Sequence, residues 1–147
     1  TQAKTLFPYT TLFRSRATVK VRTALLSDEV LARHVDQADR VLVDAPCSGS
    51  GTLRRQADLK YRISAESVAQ IRQVQQEVLE RCAPLVKPGG KLIYATCSIL
   101  PSENEAQAAW FSAGHPEFVL EEERRISPAA SGWDGFYMAR WRRAVTG

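Results

Sequence analysis

The sequence predicts an α/β fold: parallel strands joined by a crossover helix, then a closing antiparallel pair. Three observations carry this. Residues 40–45, "RVLVDA", and 91–96, "KLIYAT", are short continuous apolar runs, which suit strands of a parallel sheet covered on both faces. Between them Val68, Ile71, Val74, Val78, Leu79, Cys82, Leu85 and Val86 recur at spacings of three and four, the stripe of an amphipathic helix. Beyond them "FVLEE", 118–122, and "GFYMARW", 135–141, with the turn residues Asp134 and Gly135 before the latter, read as antiparallel strands.

In chain order, "ATVKVRT", Ala17 to Thr23, alternates as a short strand. Ser27 is placed to cap a helix through Val35, with Asp28 and Glu29 favourable in its first turn. The crossover helix is predicted from Ser64, its N-cap, to about Val86, loosened near its end by Pro84. "KPGG", 87–90, breaks the chain before the second strand. Pro101 and Ser102, with Glu105 three residues after the serine, predict a capping-box start for a helix from Glu103 to Ala113. A strand, a helix and a strand at these lengths form a βαβ unit with a right-handed crossover.

The totals set limits on function. A chain of 147 residues with 44% hydrophobic content suffices for one domain with a core. No apolar run has the length of a membrane span, and the start lacks the pattern of a secretory signal. Cys47, Cys82 and Cys97 are an odd, sparse set, which argues for reduced thiols in the cytoplasm over a disulfide framework. With no Cys-x-x-Cys pair, and with His34 and His115 isolated, no metal site is expected. Net charge is +4. Arg54, Arg55, Lys60 and Arg62 follow the first thiol, and Arg140, Arg142 and Arg143 lie near the other end; they are either a solvated surface or contacts to a polyanion. Residues 5–15, "TLFPYTTLFRS", resemble a sequencing-library adapter translated in frame. Residues 1–15 are therefore expected to be non-native, with the authentic protein longer.

Two stretches carry chemistry: "VLVDAPCSGSG", Val41 to Gly51, and "LIYATCSILPSENE", Leu92 to Glu105. Each runs from an apolar strand into a thiol loop, and ligands of open α/β sheets sit beyond the carboxyl ends of strands. If the strands are neighbours, about 4.8 Å apart, Asp44, Cys47 and Cys97 share one crevice. A thiolate can add to an electron-poor ring carbon and make the next carbon nucleophilic; on cytosine, addition at C6 activates C5. A carboxyl group near N3 assists as charge develops, and a second thiol can assist release of the first.

"DAPCSGSG" and "ATCSILPSENE" resemble motifs IV and VI of the RNA 5-methylcytosine methyltransferases, the Sun/NOL1/NOP2 family. "TLRRQADLKYR" and "DGFYMARW" are most similar to its bacterial 16S rRNA cytosine-C5 methyltransferase branch, and the resemblance runs from Ala17 to Arg143. It implies a truncated Rossmann-like S-adenosylmethionine-dependent methyltransferase fold, with S-adenosyl-L-methionine as methyl donor and RNA, specifically 16S rRNA, as partner. It also implies Cys97 as nucleophile, Cys47 in product release and Asp44 at the junction of base and cofactor, with Pro46 beside it against the cofactor. Arg54, Arg55, Lys60 and Arg62 would then face RNA. Pro101 and Asn104 shape a turn, Cys82 belongs to the core, and Trp110, Phe111, Phe136 and Trp141 are core or sheet-face residues.

The chain also departs from that family. The glycine-rich first loop, Asp-x-Cys-Ala-Ala-Pro-Gly-Gly-Lys-Thr, and the ribose-binding acid are missing, and a third acidic position falls at or near Thr23. Residues 16–147 are accordingly expected to be the C-terminal part of a catalytic domain, with little activity alone. The competing expectation is a non-catalytic RNA-binding remnant of the same fold. An amino-group methyltransferase would carry Asp/Asn-Pro-Pro-Tyr at the first strand end, where Ala45 and Cys47 stand instead. A thiol redox protein would space its cysteines closely.

Overall fold

The computed structural model describes residues 27–145. The expected strand at 17–23, the segment 1–15 and Thr23 lie outside the described residues. In order the elements are α1 (Asp28–Arg33), β1 (Ala38–Asp44), α2 (Ala65–Cys82), β2 (Val86–Thr96), α3 (Glu105–Gly114), β3 (Phe118–Ile126), α4 (Pro128–Ser131) and β4 (Phe136–Arg143). They form one sheet of order β1-β2-β4-β3. β1 and β2 run parallel, with Val41 opposite Leu92 and Asp44 opposite Ala95. β4 pairs antiparallel with both β2 and β3, so the predicted closing pair is present.

Alternate side chains of the strands point to one face and build the core. Val43, Leu92, Tyr94, Ala139 and Trp141 meet Leu79 and Cys82 of α2 and Ala108 and Phe111 of α3. Phe111 sits edge-on to Trp141 and Phe118 at centroid separations of 5.0 and 5.4 Å, each such pair contributing about 0.5–1.5 kcal/mol beyond its buried area. The Trp141 indole donates to Ser112 Oγ at 2.9 Å, so its one polar atom is satisfied. Cys82 is a core residue, as expected, and Trp110 packs against this cluster.

The opposite face corrects an expectation. Val41-Leu42-Val43 predicts cover on both sides, yet Leu42 is 66% exposed and Phe136 44%. α2 and α3 supply a single layer, and no second layer is present among the described residues. Leu42, Ile93, Ala95, Phe136 and Met138 line a shallow apolar cavity there.

Several boundaries differ from the predicted ones. Ser27 caps α1 as expected, through a 3.4 Å bond from the Val30 amide, but α1 ends at Arg33 and buries none of its residues. α2 ends at Cys82 because Pro84, which has no amide proton, turns Ala83–Leu85 into a 3-10 turn; Val86 then opens β2. The buried line on α2 is Gln75, Leu79 and Cys82, with Val74 turned to solvent. Lys87 to Gly90 do not precede β2; they are an excursion within it. The register advances from Ala38–Val86 directly to Arg40–Lys91, and Gly89 takes a φ of 78° that favours glycine.

The capping box sits on α2, not on α3: Ser64 Oγ accepts from the Ser67 amide at 3.1 Å and Ser67 Oγ from the Ser64 amide at 2.9 Å. α3 starts at Glu105, two residues later than predicted, because Glu103 and Asn104 are drawn into the interior. The C-terminal basic run is also corrected. Arg140 pairs with Glu121 and Glu122, Arg142 with Glu121 and Arg143 with Asp36 of the α1–β1 turn, so these cations are largely neutralised by neighbouring carboxylates. Among the described residues no helix is long and apolar enough to cross a membrane.

Candidate active site

Parallel pairing of β1 and β2 brings two loops to the same sheet edge. The Ala45 amide donates to Ala95 O at 2.9 Å, carrying the pairing one step past Asp44. Pro46 then turns the chain, and Cys47 Sγ lies 3.3 Å from Cys97 Sγ. Both thiols are half-buried, while Asp44 and Pro46 are exposed beside them. The Gly51 amide donates to Cys97 O at 2.9 Å, and the Gly135 amide to Gly51 O at 2.8 Å. A Cβ on Gly51 would stand 2.2 Å from Gly135 O, so only glycine lets the β3–β4 connection approach the thiol loops this closely.

The two sulfurs titrate as a pair. A hydrogen bond from Cys47 stabilises a thiolate on Cys97 and brings its pKa down to about 7, against opposition from burial and from Asp44 and Glu103. Cys47 is pushed the other way, first by the same hydrogen bond and then by burial. The pair thus favours a thiolate on Cys97 with the proton held on Cys47. Iodoacetamide labelling of Cys97, followed by peptide mass spectrometry, is expected to show a pH midpoint near 7. In Cys47→Ala the midpoint should rise toward that of a free thiol, about 8.5. An unmoved midpoint would break the proton-sharing assignment.

Each thiol is followed by a serine, and both serines are buried. Ser48 Oγ and Ser98 Oγ donate to Glu103 Oε2 at 2.6 and 2.5 Å. Asn104 shapes the second loop as expected: its amide donates to Ser98 O at 2.9 Å and its carbonyl accepts from Thr96 Oγ1 at 2.6 Å. Glu103, Ser48, Ser98 and Gln75 were not predicted as site residues. The available signal was the repeated Cys-Ser dipeptide, once per loop, with an acid five residues after the second serine.

Arg54, Arg55, Lys60 and Arg62 lie exposed on the segment that follows the Cys47 loop. Arg55 is engaged by Asp134, Arg62 is 3.8 Å from Asp58, and Lys60 sits over the Tyr61 ring at 4.9 Å. Arg54 has no ion-pair partner among the described residues. No three His, Cys, Asp or Glu side chains gather as metal ligands among the described residues.

A half-covered sheet with two thiol loops at the carboxyl ends of adjacent parallel strands is part of a Rossmann-like methyltransferase fold. Solved structures share it. The crystal structure of PH0851 is 39% identical with a TM-score of 0.72, the match covering 74% of this chain and 27% of that one. A methyltransferase homolog protein from Pyrococcus horikoshii is 26% identical with a TM-score of 0.65, covering 78% of this chain and 42% of that one. The family model described as 16S rRNA methyltransferase RsmB/F matches residues 14–142, and the chain belongs to that family. Ribosomal RNA small subunit methyltransferase B of Erwinia tasmaniensis is 41% identical over 111 residues. That match takes in 71% of this chain, which spans about a quarter (26%) of the relative's length.

Proposed function

We propose that the protein is the C-terminal part of an enzyme that methylates C5 of a cytosine in 16S rRNA, using S-adenosylmethionine. Residues 16–147 form this part of the catalytic domain, residues 1–15 are non-native, and the enzyme works in the cytoplasm. The observation that carries the reading is the 3.3 Å separation of Cys47 and Cys97 at a parallel strand edge, in a chain of the RsmB/F family.

Cys97 attacks C6 of the base as the thiolate, forming the S–C6 bond and driving the electron pair toward C5 and N3. Asp44 donates a hydrogen bond or a proton at N3 as charge builds there. S-adenosylmethionine, when bound, supplies a methyl group on a sulfonium sulfur. Asp44 and Pro46 fit one edge of that donor, since an exposed carboxyl side chain and an exposed ring lie two residues apart at the end of β1. C5, now nucleophilic, would take that methyl group. Water then takes the C5 proton, the C5–H electron pair restores the C5=C6 bond, and the S–C6 bond breaks with its pair returning to Cys97. Cys47 then hydrogen-bonds the departing thiolate and stabilises it.

The deciding experiment restores this chain within a protein of its relatives' full length and incubates it with small-subunit rRNA and methyl donor. Nucleoside mass spectrometry is expected to find 5-methylcytosine; methyl on an exocyclic nitrogen or a ribose would overturn the mechanism. The second reading, a non-catalytic RNA-binding module, draws on the exposed Arg54, Lys60 and Arg62 and applies to the chain by itself. Either way, its affinity for single-stranded RNA is expected to fall linearly on a log–log plot with salt, with a slope of about −0.7 per phosphate contacted. Arg54→Ala with Lys60→Ala should make that slope shallower by about 1.4, and an unchanged slope would remove these two side chains from the RNA surface.

A further inference from the structure

Glu103 is a buried carboxylate with no ion-pair partner among the described residues. Oε1 accepts from the Ser48 amide at 2.8 Å and from Gln75 Nε2 at 3.2 Å. Oε2 accepts from Ser48 Oγ and Ser98 Oγ. An isolated ionised group is costly to bury unless its lone pairs are filled, and here four donors fill them. The backbone amide and the glutamine Nε2 can only donate, so Oε1 is held as an acceptor. Nothing in the thiol chemistry requires an acid at this depth.

What it joins gives its use. Ser48 follows Cys47 and Ser98 follows Cys97, so one carboxylate grips the residue next to each sulfur. Gln75 extends the grip, donating from the same nitrogen to Pro46 O at 2.9 Å, just before Cys47. Gln75 is itself held by Gln107, whose Nε2 donates to Gln75 Oε1 at 2.8 Å. Tyr94 OH donates to the Glu103 carbonyl at 2.7 Å and fixes its backbone. We infer that Glu103 is a positioning residue: it clamps the two thiol loops at the spacing that lets Cys47 share its proton with Cys97. The inference deepens the proposed methyl-transfer reading, but its test reads the thiols and not methylation, so either can fail alone.

The titratable groups facing the pair are Asp44 from β1, Tyr94 from β2 and Glu103 itself. Asp44 and Glu103 both oppose a thiolate on Cys97 by repulsion, which gives the test its sign. If Glu103 acted only as a nearby charge, Glu103→Gln would lower the Cys97 midpoint. If it is the clamp, the loops part, the Cys47 hydrogen bond weakens and the midpoint rises. The experiment is pH-resolved iodoacetamide labelling of the 147-residue chain, with circular dichroism to check the fold. The expected result for Glu103→Gln is a rise of about one pH unit and a correspondingly slower reaction at neutral pH. A lowered or unmoved midpoint in the folded variant overturns the inference. Should Glu103→Gln fail to fold, Ser48→Ala and Ser98→Ala each remove one arm with the carboxylate in place. Both are expected to raise the midpoint, and no rise in either would equally overturn it.

Discussion

Replacing Cys97 by alanine in a protein of the relatives' full length is expected to abolish methyl transfer to small-subunit rRNA. The loss should be at least about a thousandfold, roughly 4 kcal/mol of activation free energy. The size follows from what remains. Cytosine C5 is a poor nucleophile until a group adds at C6, and the sulfur left nearby cannot take over well. Cys47 holds its proton more tightly than an ordinary thiol, through burial as well as the partner hydrogen bond, and burial persists in the variant. Cys82 is buried in the core among α2 and the sheet. RNA affinity should stay near the parent value, because the exposed cations lie on another segment. Incorporation of labelled methyl from S-adenosylmethionine reads the effect, and retained turnover would remove the nucleophile role from Cys97.

The convergence of Asp44, Cys47 and Cys97 was legible because it follows from two local facts. Each thiol stands just past an apolar run, and one amphipathic helix lies between the runs; parallel pairing then brings both loops to one edge. The closing antiparallel pair was legible from two strand-like runs and the turn residues Asp134 and Gly135 before the second. What escaped depended on partners distant in sequence. Ser102 and Glu105 make a plausible capping box, but Glu103 gains four hydrogen bonds by turning inward, and the helix starts later as a result. Gln75 sits beside Val74 in the stripe and is buried in its place, because it reaches Pro46, Glu103 and Gln107. Arg140, Arg142 and Arg143 look like a polyanion site until β3 sets Glu121 and Glu122 across from the first two and the α1–β1 turn sets Asp36 against the third. Leu42 shows the converse case. Its apolar character suits a covered face, but among the described residues nothing lies over it.

Replacing Cys47 by alanine is expected to trap the enzyme on its substrate as a covalent protein–RNA adduct, seen as a slower band on a denaturing gel. Two effects compete. Losing the Cys47 hydrogen bond raises the Cys97 pKa from about 7 toward 8.5. At pH 7.5 that lowers the thiolate fraction roughly eightfold, which slows attack. The same loss makes Cys97 a poorer leaving group, since a sulfur departs faster when its thiol pKa is low. Attack is partly compensated, because a more basic thiolate is a stronger nucleophile, with a sensitivity of about 0.4–0.5. Departure has no such compensation and also loses the proton-bearing neighbour 3.3 Å away. Release is therefore slowed more than formation, and the adduct accumulates. The band should grow over minutes with RNA and methyl donor present, and should vanish when Cys97→Ala is added to Cys47→Ala. A band in the double variant would place the bond elsewhere, and no band in the single variant would take release away from Cys47.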